Sequence, residues 1–417
     1  MLSILINAYA CSPNMGSEPG MAWNWCVNLA KHCELHIITE GEFRDKIEQV
    51  VPTLPQGRNM HFYYNPVSEE IRRMCWNQGD WRFYKYYREW QWKTYLMAKD
   101  ICQQTRIDIL HQLNMIGFRE PGYLWKIENK PFVWGPIGGL KQFPTAYLQH
   151  AGLKMKIFNR VKNIINIYQI KYDRRIDKAF KRADLLISSI PDSYRAIKKY
   201  KGLNSVIIPE TGCFLDNNTH YESRRKNDGA FNLLWVGKFD FRKQLEIALR
   251  TIAVLKGLDI KLTICGSGNK KQNQFYKELA SRLDIEQQVV WKGNIPNEAI
   301  FKEMRNAVLF FFTSISEDTS TVVLEAISNH LPVLCFDTCG MGYVINEKVG
   351  MKIPLSNLHK SVEEFAQKIT HLHDNPALLQ QLVEGCKERQ QELSWESKAL
   401  QMVELYKKCL SHNTFPE

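Results

Sequence analysis

The sequence predicts an α/β chain of two doubly wound, parallel-sheet domains. Three observations carry that expectation: a length of 417 residues, a β-loop-α-β opening, and a second strand–helix series that starts afresh at Phe231. Buried surface scales with size so that a chain this long divides into domains of about 200 residues. The composition, 44% hydrophobic and 24% charged, is globular.

The opening element is the apolar run Leu2 to Ala8, a buried strand. Gly16, Pro19 and Gly20 break the chain, and Met21, Trp25 and Leu29 then fall at helical spacing before a strand at Leu35 to Thr39. Ile107 to His111, Pro131 to Trp134 and Leu185 to Ser188 continue the series. The second series predicts strands at Asn232 to Val236, Lys261 to Cys265, Val289 to Trp291, Val308 to Thr313 and Val333 to Phe336. The polar stretch Asp216 to Gly229 lacks hydrophobic periodicity and reads as the linker or an exposed loop beside it. A closing helix at about Trp395 to Leu410 carries Trp395, Ala399, Met402, Val403, Tyr406 and Leu410 on one stripe. It follows a completed sheet, so it must dock elsewhere, and the first domain is one place. The expected division is 1–210, 211–394 and a C-terminal helix, 395–417, crossing back to the first domain.

Net charge is +11, from 55 Lys and Arg against 44 Asp and Glu. Such a surface attracts phosphates of any kind without choosing among nucleic acid, anionic lipid and nucleotide-sugars. The 11 Cys are scattered, with no CxxC pair and no Cys/His zinc spacing, which reads as reduced thiols in a cytosolic protein. The first residues lack signal-peptide features, and no apolar run is long enough to span a bilayer.

The segment Val308 to Met341 carries the chemistry. Val308 to Phe312 is a buried parallel strand, Thr313 to Glu317 the turn at its carboxyl edge, and a helix begins near Thr319 to Thr321. Ligands of open α/β sheets bind outside the carboxyl ends of the strands, and a helix start offers free N–H groups to a diphosphate. Glu317 lies before that helix and Glu325 within it, two carboxylates able to accept hydrogen bonds from vicinal hydroxyls. Without their surroundings both would pass as solvated charges.

Glu317 and Glu325 stand at E-x7-E spacing. The frame EDTSTVVLEAISNHLPVLCFDTCGMG resembles that of retaining GT-B glycosyltransferases of family 4, the group 1 glycosyl transferases of bacterial polysaccharide biosynthesis. LLWVGKFDFRKQLEIAL resembles the family's strand, Gly, basic residue and downstream Lys. LTICGSGNKKQNQFYKELASRLDIEQQVVWKGNIP resembles its Gly-x-Gly loop and following elements, and SWESKALQMVELYKKCL its closing helix. ACSPNMGSEPGMAWNWCVNLAKHCELHIIT resembles the N-terminal glycine loop, and PFVWGPIGGL a segment of a bacterial subset. The match is close over 231–410 and looser over 1–210. Asp318 and His330 depart from it, standing where Gly is common or usual.

The resemblance implies an N-terminal acceptor domain and a C-terminal donor domain, both Rossmann-like, facing each other across a cleft. It implies a nucleotide-sugar donor, UDP-, GDP- or similar, and transfer with retention of configuration to a saccharide or lipid-linked saccharide. Glu317 would hold the donor sugar and Glu325 the ribose. Lys238 and Lys243 would hold the diphosphate, and the amides of Ser320 and Thr321 would meet phosphate or sugar. Gly16 would let backbone approach the phosphates, and Gly266 would lie near the base. The chain has no Asp-x-Asp, so neither metal nor cofactor is expected. His111 and Gly138 are the acceptor-side candidates, each with a structural alternative.

Two segments interleave aromatics and cations, Trp76 to Tyr95 and Lys154 to Arg182. They suit a membrane interface, so the expectation is a cytoplasmic protein at the inner face of the plasma membrane, its first domain docked on anionic lipid. A packed aromatic helix with a solvated basic face fits the same residues. The rival readings are a GT-B nucleotide-sugar epimerase or phosphorylase, a partner subunit without activity, and a basic nucleic-acid binder. The last lacks a recognisable module, and the glutamate pair would repel phosphates, so no nucleic acid is expected.

Overall fold

The computed structural model describes residues 1–77, 80–215 and 230–412. The chain divides into two compact units, one of 1–140, 165–210 and 395–417, the other of 141–164 and 211–394. The units part at 210/211 and 394/395. The expected first domain is corrected at 141–164, which packs with the second unit. The expected linker at 216–229 lies outside the described residues.

The first unit holds seven parallel strands: β1 (Leu2–Ala8), β2 (Cys33–Thr39), β3 (Met60–Tyr64), β4 (Ile109–Asn114), β5 (Phe132–Ile137), β6 (Leu185–Ser188) and β7 (Val206–Ile207), in the order β3-β2-β1-β4-β5-β6-β7. The second holds six: β8 (Phe231–Val236), β9 (Ile260–Cys265), β10 (Val289–Gly293), β11 (Leu309–Phe312), β12 (Val333–Phe336) and β13 (Gly350–Ile353), in the order β10-β9-β8-β11-β12-β13. Each sheet reverses direction beside its first strand, so each has a switch point where carboxyl ends open onto a crevice. The central strands are continuous apolar runs because helices cover both faces, as β11 shows with every residue buried. Strands β3, β7 and β13 were not anticipated. MHFYY and GMKI lack the long apolar run of a central strand, and they lie at sheet edges.

The closing helix Trp395–His412 belongs to the first unit. Its stripe of Trp395, Ala399, Met402, Val403 and Tyr406 is buried in one core with Met21, Trp25 and Leu29 of the helix Ser17–Leu29. Trp395 meets Trp25 edge-to-face at 5.9 Å. Glu396 pairs with Lys31 and, at 3.0 Å, with His32 Nε2.

Tyr406 also fixes the place of His111. That side chain is wholly buried in β4, with Nε2 2.7 Å from the Gly135 carbonyl and Nδ1 2.6 Å from the Tyr406 hydroxyl. A carbonyl only accepts, so Nε2 carries the proton and Tyr406 donates to Nδ1. Burial pushes the imidazole pKa down to about 4, against the opposing pull of the Gly135 carbonyl. The acceptor-side expectation for His111 is corrected accordingly: both ring nitrogens are engaged within the unit.

Replacing Tyr406 by Phe leaves a buried acceptor without its donor and should cost about 1–3 kcal/mol, read as a fall in Tm at pH 7.5. The neutral imidazole adds acid sensitivity. Between pH 6.5 and 4 the unfolded chain takes a proton that the folded one refuses, so stability falls as pH falls through that window. A His111→Phe variant should lose that component; an unchanged acid limb would contradict the assignment.

Candidate functional site

The site is built at the carboxyl edge of the second sheet. Strand β8 is followed by Gly237, and the chain then turns through Phe241–Lys243, whose start is capped by Asp240 accepting from the Lys243 amide. Gln244 closes the turn at φ 50°, a left-handed conformation rare outside glycine. Strand β11 delivers Thr313 to Glu317 alongside. Thr313 Oγ1 accepts from Trp235 Nε1 at 2.9 Å and donates to the Lys243 carbonyl at 2.7 Å. The Ile315 amide donates to the Arg242 carbonyl at 2.9 Å. These bonds strap the two turns together.

They bring Lys243 Nζ within 2.6 Å of Glu317 Oε1, an ion pair with side chains 10% and 12% exposed. Arg242 Nη1 lies 3.4 Å from the same oxygen, and Ser314 Oγ donates to it at 3.2 Å. Burial alone would lower the Arg242 pKa, but Glu317 and Asp240 outweigh it and hold the guanidinium above its ordinary value. The Lys243 ammonium sits 4.9 Å over the Phe312 ring, and the Glu317 amide faces Cys339 Sγ at 3.4 Å.

Asp318, the departure from the family frame, pairs with Lys141 Nζ at 3.0 Å. Burial opposes the Lys141 charge, yet Asp318, Cys339 and Glu317 together raise its pKa. This contact explains why the segment from 141 belongs with the second unit. Gly340 closes the turn from the other side: its amide donates to the Asp318 carbonyl, and an added Cβ would lie 2.4 Å from Thr319 Oγ1.

The helix Thr321–Ser328 follows, with Ser320 as N-cap residue and no side-chain cap bond. Its first-turn N–H groups therefore point outward with the positive end of the helix dipole. Glu325 lies one turn along it, its carboxylate with no hydrogen-bond or ion-pair partner among the described residues. Burial alone raises its pKa. His330 ends the helix at φ 54°, the left-handed stop expected of it, and the Leu331 amide returns to the Ala326 carbonyl at 2.8 Å.

The remaining candidates fall as follows. Lys238 is exposed just after β8, with no ion pair among the described residues. Gly266 follows β9 at φ 141°, where a Cβ would stand 1.9 Å from the Gly237 carbonyl oxygen, so only glycine fits. Gly16 is the exposed N-cap of the helix Ser17–Leu29 in the first unit. A Cβ there meets nothing within 4 Å, and the positive φ falls on Ser17 instead. Gly138 packs backbone to backbone on Ile116 and Phe118.

Arg242, Ser314 and Lys141 join the site without having been singled out in the sequence. Arg242 adjoins the motif Lys, and that adjacency was the available signal; Lys141 is remote in sequence and gave none. In the first unit Glu34, His36 and His61 on β2 and β3 bring metal-ligating atoms within 4.8 Å of one another. Their only sequence sign is the Glu-x-His alternation of a strand.

Residues 216–389 match the family model for glycosyl transferases group 1. The second unit carries a group 1 glycosyltransferase domain. Among curated relatives, the uncharacterized glycosyltransferase MJ1607 of Methanocaldococcus jannaschii is 24% identical over 42% of this chain and 44% of its own length. The putative teichuronic acid biosynthesis glycosyltransferase TuaC of Bacillus subtilis is 26% identical over 49% of this chain and 52% of its own. The chain thus spans about half the length of these relatives. Among solved structures, Anabaena Alr3699/HepE in complex with UDP superposes with a TM-score of 0.62 at 14% identity, covering 98% of this chain and all of that one. This likeness shows the fold, two Rossmann-like parallel-sheet domains of GT-B type.

The lone Glu325 carboxylate yields a stability prediction. Its folded pKa lies above the 4.5 of the free group, so the ionised form costs stability at neutral pH and the cost fades as pH falls toward 4.5. Glu325→Gln should therefore raise Tm at pH 7.5, with the gain shrinking toward pH 5. A gain independent of pH, or a loss at pH 7.5, would contradict this.

Proposed function

We propose that the chain is a retaining glycosyltransferase of family 4 that moves a sugar from a nucleotide-sugar to a saccharide or lipid-diphosphate-linked acceptor. Its setting in this reading is bacterial surface polysaccharide synthesis at the cytoplasmic face of a membrane. The observation that carries it is the buried Lys243–Glu317 pair beside an uncapped helix start, with Glu325 one turn along that helix. Relatives support the reading, TuaC in its teichuronic acid setting and HepE in its bound UDP.

In this reading the donor diphosphate lies against the first-turn amides of the helix, at Ser320 and Thr321, with Lys243 and Arg242 supplying positive charge. Lys238, exposed and with no ion pair among the described residues, reaches the outer phosphate oxygens. A sugar hydroxyl donates to Glu317, and the ribose hydroxyls donate to Glu325. The bond from the anomeric carbon to the diphosphate breaks as the acceptor oxygen bonds to that carbon on the same face, and the acceptor proton passes to the departing phosphate. Charge grows on the leaving nucleotide where fixed cations already stand, which lowers the barrier without reorganisation. Gly266 keeps the edge of the sheet low enough for the base.

Glu317→Gln should lower kcat by about 100-fold or more with the fold intact, and Lys243→Met should weaken donor binding and lower kcat by a comparable factor. Turnover by purified protein with UDP- and GDP-sugars measures both. Near-normal turnover in both folded variants would remove the assignment.

A further inference from the structure

We infer that the helix Leu153–Tyr172 is the element that docks this protein on an anionic lipid surface, lying in the plane of the headgroups. The inference deepens and rests on the membrane-side reading above, while its test does not pass through sugar transfer.

The helix is amphipathic in the inverted sense. Leu153, Ile157, Phe158, Ile164, Tyr168 and Tyr172 are between 55% and 73% exposed. At about 100° per residue these six fall within an arc of roughly 140°, a mainly apolar face that Lys154 and Lys171 share. The opposite side is amide-rich and turned inward. Asn159 and Asn166 are buried, and Asn163 exchanges hydrogen bonds with the Phe143 backbone, accepting at 2.8 Å and donating at 3.0 Å. Arg119 donates to Gln169 Oε1 at 2.8 Å and to Asn166. A helix built for water would bury its Ile and Phe and expose its Asn. Here the side chains that need cover face outward, and the polar ones satisfy the protein.

Charge selects the occupant. The helix carries Lys154, Lys156, Arg160, Lys162 and Lys171 and no Asp or Glu. A second copy would oppose one uniformly cationic helix with another. A bilayer with anionic headgroups supplies both an apolar boundary for the stripe and negative charge for its flanks. With 20 residues the helix runs about 30 Å along its axis. Among the described residues no helix is long and apolar enough to cross a membrane, so the stripe lies on the surface.

The first aromatic–basic segment leaves Trp81, Tyr84 and Trp92 exposed but buries much of its apolar surface. Phe83, Tyr87 and Trp90 of the helix Phe83–Gln104 are buried, and Tyr9 stands edge-on to Tyr87 at 5.1 Å and to Trp90 at 4.9 Å. Its packed face is core, and the docking role passes to Leu153–Tyr172.

Flotation of the full chain with phosphatidylglycerol-containing vesicles at low salt tests the inference, with pure phosphatidylcholine vesicles as the second arm. Wild-type protein should float with the anionic vesicles and remain at the bottom with the zwitterionic ones. Phe158→Asp/Ile164→Asp should reduce recovery at least tenfold without changing Tm. Lys154→Glu/Arg160→Glu, confined to exposed positions, should reduce it independently. Failure of the wild type to float on anionic vesicles, or equal flotation of the variants, overturns the proposal. So does a dimer in sedimentation velocity that the Asp variant dissociates while vesicles retain neither form, since that would make the stripe a protein interface.

Discussion

An ammonium and a carboxylate 2.6 Å apart and almost wholly shielded from water organise the second domain's edge. Desolvating two charges is costly, and their attraction returns the cost only when geometry is tight and further hydrogen bonds satisfy them. Ser314, Arg242 and the Phe312 ring meet that condition. Such a pair is a poor device for stability, since apolar residues of the same volume do as well. It is a good device for binding. Each charge already sits in place for an opposite charge or hydroxyl of a ligand, and each is neutralised by the other until the ligand arrives.

Positions that no packing argument would choose surround the pair. Gln244 and Cys339 hold positive φ values of 50° and 55°. Such conformations cost free energy in non-glycine residues and persist where the surroundings over-determine them. Glu325 is held in a place that raises its pKa, its carboxylate with no partner among the described residues. Local cost concentrated at one sheet edge is how a functional site differs from a core.

The parallel strands were legible because their apolar runs are set by burial on both faces, as in VLFFF of β11. Edge strands such as Met60–Tyr64 were not, because half-buried residues carry a weaker pattern. Glu317, Glu325 and Lys243 were open to proposal from a spacing within a familiar frame. Arg242 and Lys141 were not, because their roles exist only once β8, β11 and the segment from 141 are packed together. His111 misled for the converse reason. A histidine at a strand end looks the same in sequence whether it faces a ligand or, as here, a Tyr hydroxyl nearly three hundred residues away. Leu153–Tyr172 shows the limit again: the periodicity gives an apolar stripe, and only the fold reveals that it points outward.

The central claim is that Lys243 and Glu317 act as one donor-gripping unit. A double-mutant cycle on nucleotide-sugar affinity, with Lys243→Met, Glu317→Gln and the double variant measured by calorimetry, addresses it directly. The account predicts strong coupling: each single change weakens binding at least tenfold, and the double variant binds little worse than the weaker single. Additive losses, or affinities within twofold of wild type in both single variants, would contradict it.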